Sequence, residues 1–205
     1  MAAVNEHATN LILVGSCGVG KTCLAQTILH QKKIDWTAPP TISDVFSHHA
    51  DIKNRGEHEF EIRDSSGSEK YANVRTIAYP DCQVCLICFS VDSKESFEHL
   101  TNPPPLIDAK DAKHGHGWFG EVAHNAPTIK AILVGTKCDT PKDKREVSQS
   151  EAQALATKWK IPYYEVEVRS GAEKANDLLE LVVTQHINGD PLVRKKEGGP
   201  GCLLL

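Results

Sequence analysis

The stretch Leu11–Thr22 reads LILVGSCGVGKT, and its last eight residues fit the pattern G-x-x-x-x-G-K-[ST]. A short apolar run precedes this pattern, and the helix-like segment Thr22–His30 follows it. Glycines in such a loop let the backbone curl so that successive N–H groups point at phosphate oxygens, and the N-terminus of the next helix adds its positive end. The stretch predicts a phosphate-binding loop between a strand and a helix; a chance glycine-rich turn is the alternative.

The loop and the first residues of the helix supply most of the predicted contacts to a nucleotide. Lys21 is expected to reach the terminal phosphates, and the Thr22 hydroxyl is expected to bind Mg²⁺. The predicted nucleotide-binding residues of this region are Gly15, Ser16, Cys17, Gly18, Val19, Gly20, Lys21, Thr22 and Cys23.

Strand-like and helix-like segments alternate along the chain. The strand-like runs are Leu11–Val14, Phe60–Arg63, Val84–Phe89, Ala131–Val134 and Tyr163–Val166. The helical candidates are Thr22–His30, Glu69–Ala78, Ser93–Leu100, Ser148–Trp159 and Ala175–His186. Val45–Ile52 and His58–Arg63 flank the turn Asn54-Arg55-Gly56 and are expected to form a hairpin. This order predicts an α/β fold with a mostly parallel six-stranded sheet, one antiparallel strand and helices on both faces.

Length and composition fit one domain with a short tail. The chain has 205 residues, 40% of them hydrophobic, and a net charge of −4, which gives no indication of a nucleic-acid binder. We predict a domain over residues 1–187 with a loop insertion at about 101–117, and a flexible tail over residues 188–205. Trp118 and Phe119 are expected to restart a helix. The seven cysteines show no disulfide-like framework, which favours reduced thiols in a cytosolic protein.

The tetrapeptide Thr136-Lys137-Cys138-Asp139 distinguishes guanine from adenine. It follows a strand and therefore lies at the carboxyl edge of the sheet, where ligands bind in such folds. A carboxylate at Asp139 can accept both the N1–H and the N2–H of guanine, donors that adenine lacks, and the Lys137 stem can lie along the base.

A third segment, Asp64-Ser65-Ser66-Gly67, ends another strand. Asp64 is expected to hold Mg²⁺ through water, and the Gly67 N–H is expected to meet the γ-phosphate. Thr41, which follows two prolines, offers a second hydroxyl to Mg²⁺ when GTP is bound. The predicted metal-binding residues are thus Thr22, Thr41 and Asp64.

In order and spacing, these segments resemble the small GTPases of the Ras superfamily. Within that superfamily, the stretches Tyr79-Pro80, Leu86–Ser90, Ser96–Glu98 and Ile132–Lys137 are similar to the Rho/Rac branch. The resemblance implies a P-loop GTPase fold, GTP and GDP as ligands with Mg²⁺, and a monomer whose Val168 N–H meets the guanine carbonyl. It also implies effectors that bind Thr37–Phe46 and Ser66–Tyr79, together with exchange factors and a Rho-type dissociation inhibitor.

Two positions of the family's catalytic set depart from its pattern, while Thr41 fits it. Cys17 stands where the family usually has Gly, facing the γ-phosphate and the space that an arginine finger enters. Ser68 stands where the family usually has the Gln that orients the attacking water, and its side chain is too short to span the same gap. These departures predict slow hydrolysis and resemble the GTP-bound, hydrolysis-poor Rnd type.

Other departures concern the base and the effector segment. The aromatic residue usually stacked on the base falls at Ile34, with Trp36 nearby, and the usual Ser-Ala pair falls at Glu167-Val168. The Rho-type insert helix expected shortly after Asp139 is missing. In the effector segment, Ser43 and Phe46 replace the residues of the Rac pattern.

The C-terminal Cys202-Leu203-Leu204-Leu205 fits a prenylation box, whose final Leu favours a geranylgeranyl group on Cys202. The cations Arg194-Lys195-Lys196 provide a weak second signal, which predicts reversible association of a cytoplasmic protein with the cytoplasmic face of the plasma membrane or endomembranes. A chance apolar tail is the alternative.

Three functional hypotheses follow. The first is a largely GTP-loaded binding module, and the second is a GTPase that cycles under exchange and activating proteins. The third is a pseudo-GTPase that holds no nucleotide. Separately, the spacing of Cys82, Cys85 and Cys88 suggests zinc ligands, but residues three apart on a strand face opposite sides, so we expect these cysteines to pack in the core.

Overall fold

The computed structural model describes residues 7–29, 41–102, 117–167 and 172–193. The strands are β1 Ala8–Val14, β2 Ser43–Ile52, β3 Gly56–Ser65, β4 Val84–Ser90, β5 Lys130–Thr136 and β6 Tyr163–Glu165. The α-helices in these ranges are α1 Lys21–Ile28, α2 Ala72–Ala78, α3 Lys94–Glu98, α4 Trp118–Asn125, α5 Gln149–Trp159 and α6 Ala172–Asn188. Short 3₁₀ turns cover Glu69–Tyr71, Tyr79–Asp81 and Lys142–Lys144.

The six strands form one sheet in the order β2-β3-β1-β4-β5-β6. Only β2 runs antiparallel, and it pairs with β3 along the whole hairpin from Ser43↔Ser65 to Ile52↔Gly56. The turn between them has positive φ at Asn54 (62°) and Gly56 (77°), a conformation that these two residue types tolerate. The mixed sheet and the hairpin expected from the sequence are therefore confirmed.

Helices cover both faces of the sheet. On one face, α1 and α6 pack over a core that includes Leu24, Phe60 and Leu178. On the other face, α4 and α5 pack over a second core. Cys88 lies in the first core and Cys85 in the second, so the two thiols face opposite sides as expected. Burial raises the pKa of the Cys88 thiol to about 12, so it packs as a neutral side chain.

Several helix boundaries differ from those expected. The predicted helix Glu69–Ala78 is a 3₁₀ turn followed by α2. The Ser148 side chain caps α5 by accepting from the Glu151 N–H at 3.2 Å, as expected, but the Glu151 carboxylate pairs with Lys94 of α3.

The last helix is longer than the predicted Ala175–His186. α6 ends at Asn188, and the Leu192 and Val193 N–H groups then donate to the carbonyls of Ile129 and Pro127. In the described part of the chain, no helix combines the length and apolar content that a membrane span needs.

The predicted insertion, about residues 101–117, lies largely outside the described residues, but its two ends are described and meet. The Trp118 N–H donates to the His99 carbonyl at 3.0 Å. A Cβ at Gly117 would lie 2.5 Å from the Thr101 carbonyl carbon, so only glycine fits this close approach. Trp118 begins α4, as expected.

Candidate functional site

The predicted site residues gather at one edge of the sheet. Because β1, β3, β4, β5 and β6 are parallel, the segments that follow them meet at the carboxyl edge. The phosphate loop follows β1, the segment beginning at Asp64 follows β3, and Thr136–Asp139 follows β5.

The phosphate loop has the backbone that its glycines predict. Gly18 and Gly20 adopt positive φ of 76° and 98°, and a Cβ on Gly15 would collide with the carbonyl oxygen of Cys88. The Lys21 ammonium donates to the carbonyls of Gly15 (2.7 Å) and Ser16 (3.0 Å), so its Nζ lies across the mouth of the loop. Burial lowers the pKa of Lys21 because it disfavours the charged ammonium, and a bound phosphate anion would offset this cost.

The three predicted Mg²⁺-binding residues come together. The Thr22 hydroxyl donates to Asp64 Oδ2 at 2.6 Å, and its oxygen lies 3.0 Å from the Thr41 hydroxyl. Asp64 is fully buried, and its other oxygen, Oδ1, has no hydrogen-bond partner among the described residues. Burial raises the pKa of Asp64. Two hydroxyls and a carboxylate with an unsatisfied oxygen form a hard-oxygen donor set that suits Mg²⁺ and its water ligands.

The predicted base-recognition loop, Thr136–Asp139, is hydrogen-bonded to the phosphate loop. The Thr136 hydroxyl donates to the carbonyl of Val19 and, at 2.9 Å, to that of Phe89. Lys137 has a φ of 56°, and its ammonium lies 3.3 Å from Asp92. Asp139 is exposed at the end of the tetrapeptide. The contacts hold both loops in one arrangement, which base and phosphate binding require.

A charged cluster behind this loop was not predicted from the sequence. Arg145 forms a two-pronged ion pair with Glu165 at the end of β6, with a distance of 3.1 Å from Nη1 to Oε2. The Tyr163 hydroxyl donates to the same carboxylate at 2.5 Å. The hydrogen bond and charge of Arg145 overcome the effect of burial and lower the pKa of Glu165. The cluster stabilises the loop ends beside Thr136–Asp139.

The segment after β3 lies directly on the phosphate loop. A Cβ on Gly67 would lie 2.5 Å from the Cys17 nitrogen and 2.6 Å from the Gly15 oxygen, so no larger residue fits. The Ser68 side chain accepts from the Lys70 N–H at 3.4 Å and thereby caps the 3₁₀ turn. Ser68 thus uses its hydroxyl within its own turn, while Cys17 is exposed at the loop.

A second cluster that the sequence did not predict lies beneath this segment. The Arg75 guanidinium is 1% exposed and forms two hydrogen bonds to Glu121, at 2.7 and 2.6 Å. The Tyr79 hydroxyl donates to the same carboxylate at 2.6 Å, and the Trp118 ring lies 4.5 Å from the Arg75 Cζ atom. The spacing of charges along the sequence does not predict this ion pair, because Arg75 and Glu121 are 46 residues apart.

Some predicted residues lie outside the described residues. These are Val168, Ile34, Trp36, the first part of the effector segment Thr37–Phe46, and the lipidation site Cys202 with its basic neighbours. Cys23, also predicted near the nucleotide, is half-buried on α1.

The predicted partner-binding segments expose apolar side chains. Val45, on the edge strand β2, is 55% exposed, and Ile42 just before it is 50% exposed. Val74 and Ile77, on α2, are 43% and 76% exposed. Large apolar side chains exposed in each of these two segments favour binding of another protein.

The chain is similar to known proteins over most of its length. The family model described as "Ras family" matches residues 10–187. "Ras-like GTP-binding protein RHO1" of Entamoeba histolytica is 32% identical over 75% of this chain and 64% of its own length. "GTP-binding protein Rho1" of Kluyveromyces lactis is 31% identical over 79% of this chain and 70% of its own length. "GTP-binding protein rho4" of Schizosaccharomyces pombe is 26% identical over 87% and 86%. The matched region is thus less than two thirds of the amoebal relative.

Proposed function

Because this chain belongs to the Ras family, as a Rho-like small GTPase that binds guanine nucleotides, we propose that it is a switch of Rho/Rac type that hydrolyses GTP slowly and is largely GTP-bound. The observation that carries the proposal is the convergence at one sheet edge of Lys21, the Thr22–Asp64 pair and Thr136–Asp139. These groups match, respectively, the phosphates, their metal ion and the guanine base.

The residues of the chain divide the binding task. Loop N–H groups and Lys21 hold the phosphates and Asp139 selects guanine, while Thr22, Thr41 and, through water, Asp64 would hold Mg²⁺. Mg²⁺ neutralises phosphate charge when it is bound. The buried Asp64 carboxylate, whose Oδ1 has no hydrogen-bond partner among the described residues, supports the metal assignment because a buried anion requires a compensating charge.

Slow hydrolysis is proposed from Ser68 and Cys17. Hydrolysis needs a water held in line and donors that stabilise charge on the transferred group. The Ser68 hydroxyl caps its own 3₁₀ turn and is too short to orient that water. The Cys17 side chain occupies the exposed rim of the loop, where an activating arginine would enter.

The alternative is a GTPase that cycles under exchange and activating proteins, and a nucleotide-free pseudo-GTPase is the third candidate. The deciding experiment is extraction of the nucleotide that the purified full-length protein retains, followed by chromatography. GTP supports the proposed GTP-bound state, GDP supports the cycling enzyme, and an empty site would overturn both.

Partners and location are proposed from the surface and the tail. The exposed apolar side chains Ile42, Val45, Val74 and Ile77 support effector binding through Thr37–Phe46 and Ser66–Tyr79. Exchange factors and a Rho-type dissociation inhibitor follow from the family. A geranylgeranyl group on Cys202 would bring the cytoplasmic protein reversibly to the plasma membrane or endomembranes.

The first prediction concerns the role of Asp139 in selecting guanine. Asp139→Asn removes the acceptor for two base donors, a contact worth about 1–3 kcal/mol by analogy with base-edge readout. We expect the preference for GTP over ATP to fall by at least about fivefold in competition binding. The matched control is Asp143→Asn, an exposed aspartate in the neighbouring 3₁₀ turn, which should leave the preference unchanged. An unaltered preference in Asp139→Asn would remove this role.

A further inference from the structure

The backbone on both sides of Gly67 is held by one buried side chain. Arg75 Nη1 donates to the Ser66 carbonyl at 2.7 Å and lies 3.3 Å from the Ser68 carbonyl. The Ser66 N–H in turn donates to the carbonyl of Ile42 at 3.1 Å. The peptide groups next to Gly67 are therefore fixed on the side that faces the protein interior.

Fixing the Ser66 carbonyl also fixes the direction of the Gly67 N–H. The two groups belong to one planar trans peptide, in which C=O and N–H point in opposite directions. An Arg75 hydrogen bond to the Ser66 oxygen therefore turns the Gly67 N–H away from the interior. Gly67 itself lies against the backbone of Ser16 and Cys17, which places the phosphate loop beside this peptide.

Arg75 is itself held in one position. Glu121 binds its Nε and Nη2 in a two-pronged pair, and Tyr79 donates to the same carboxylate. The hydrogen bond and charge of Glu121 overcome burial and raise the pKa of Arg75, so the guanidinium stays charged. The Trp118 ring covers it at 4.5 Å. The planar guanidinium of Arg75 has donors in fixed directions and can bond Glu121 and the Ser66 carbonyl at the same time, which the ammonium of a lysine cannot do in this geometry.

The cluster also reaches the phosphate loop directly. The Trp118 indole N–H donates to the Ser16 hydroxyl at 3.1 Å, and the same hydroxyl lies 3.2 Å from His99 Nδ1. One tryptophan thus contacts both the loop and Arg75. These side chains therefore contact both the phosphate loop and the segment that carries Gly67.

We propose that Arg75, held by Glu121 and Trp118, is a positioning residue that aims the Gly67 N–H at the site of the γ-phosphate and so favours GTP over GDP. The proposal rests on the proposed function, since it concerns the same nucleotide site. It goes further because it assigns the preference for the triphosphate to a buried ion pair, Arg75–Glu121, that lies outside the predicted nucleotide-binding residues.

The test compares a GTP analogue that resists hydrolysis with GDP. GDP lacks the γ-phosphate, so loss of Gly67 orientation should weaken only the analogue. In Arg75→Lys we expect the dissociation constant of the analogue, divided by that of GDP, to rise about tenfold. The matched control is Arg145→Lys, the other two-pronged Arg–Glu pair, which lies beside the base loop. It should shift both nucleotides together and leave the ratio within about twofold. An unchanged ratio in Arg75→Lys, or an equal change in the control, overturns the proposal.

Two milder variants keep the test decisive if Arg75→Lys does not fold. Tyr79→Phe removes one hydrogen bond to Glu121, and Trp118→Phe removes the N–H donor to Ser16 while keeping a ring over Arg75. Each should raise the ratio by at least twofold, and no change in either contradicts the proposal.

A measurement on the nucleotide-free protein tests this inference independently of the proposed function. Amide hydrogen exchange of the peptide that contains Gly67 should be about tenfold faster in Arg75→Lys, Tyr79→Phe and Trp118→Phe than in wild type, and unchanged in Arg145→Lys. Were the wild-type protein to bind no guanine nucleotide, the proposed function would fail, and this exchange rate would still decide whether Arg75 positions Gly67. Equal exchange in all proteins would reject the positioning role.

Discussion

Asp64 combines complete burial, a carboxylate charge and an oxygen, Oδ1, that has no hydrogen-bond partner within the described ranges. The Thr22 hydroxyl donates a 2.6 Å hydrogen bond to the other oxygen, Oδ2, and Lys21 supplies a nearby positive charge. Burial nevertheless dominates and raises the pKa of Asp64. The residue is therefore destabilising at neutral pH until a cation arrives, which is a common cost of a functional site.

Asp64→Asn should stabilise the nucleotide-free, Mg²⁺-free protein by about 1 kcal/mol near pH 7, in urea unfolding. Since the folded-state pKa is raised, the folded protein holds this proton more tightly than the unfolded chain, and wild-type stability falls as the pH rises. The advantage of the variant should therefore shrink as the pH falls and vanish below about pH 3, where Asp64 is protonated in both states.

The same variant should also lose the effect of Mg²⁺ on nucleotide affinity. The control is Asp51→Asn, an exposed aspartate on β2, which should change stability by less than about 0.5 kcal/mol. If the wild-type protein were as stable as Asp64→Asn across the whole pH range, the buried Asp64 carboxylate would not destabilise the folded protein and the prediction would be wrong.

Cys17 and Ser68 make the catalytic prediction. Single-turnover hydrolysis of GTP by the wild type should be slow and respond little to a Rho-type activating protein. Ser68→Gln alone should restore part of the rate, because Cys17 still crowds the arginine. Cys17→Gly with Ser68→Gln should restore a larger, activator-dependent rate that exceeds the sum of the single effects, since both positions act on one transition state. Brisk activated hydrolysis by the wild type would favour the cycling enzyme.

At the scale of elements, the end of α3 is hydrogen-bonded to the start of α4, so the two ends of the insertion lie together. The His99 carbonyl accepts from the Trp118 N–H, and the Leu100 carbonyl accepts from the Phe119 N–H at 3.0 Å. Gly117 packs on the Thr101 backbone. The core therefore receives Leu100 and Trp118 from two segments whose spacing does not depend on the length of chain between them.

Replacing residues 103–116 by two glycines should leave the fold intact. We expect a melting temperature within about 3 °C of wild type and unchanged GDP affinity, because both ends of the insertion already meet and their core contacts are kept. Gly117→Val in the full-length chain is the contrasting variant, since its side chain would collide with the Thr101 backbone. A deletion that unfolds the protein would show that the insertion contributes to the core.

At the scale of the whole molecule, the predicted nucleotide-binding residues and the last described residues lie at opposite edges of the sheet. The site residues follow the carboxyl ends of the parallel strands, whereas Leu192 and Val193 bond to Ile129 and Pro127, just before β5 begins. The described chain thus ends at the edge away from the site.

Cys202→Ser should move the protein wholly into the soluble fraction of cells, because the thiol is the proposed point of prenyl attachment and three cations alone bind membranes weakly. The measurement is fractionation of tagged protein, and Cys138→Ser is the control, since burial raises the pKa of that thiol to about 12. Persistent membrane association of Cys202→Ser would indicate another anchor.

Local patterns in the sequence determined the strands, the hairpin turn, the phosphate loop and the Ser148 cap. Each of these depends on residues within a few positions of one another: glycine conformations at Gly18 and Gly20, the Asn54–Gly56 turn and side-chain caps. The sequence also placed Thr22, Asp64 and Asp139 at one edge, because parallel strands bring their carboxyl ends together.

The tertiary structure alone decided which side chains touch. Glu121 pairs with Arg75 across 46 positions, and Trp118 reaches Ser16 across 102, distances over which no periodicity in the sequence identifies a partner. The helix break before α2, the continuation of α6 to Asn188 and the capping role of Ser68 were likewise decided by packing. A side chain's partner depends on how sheet and helices fold over one another, so the unpaired oxygen of Asp64 and the hold of Arg75 on Gly67 emerge only in three dimensions.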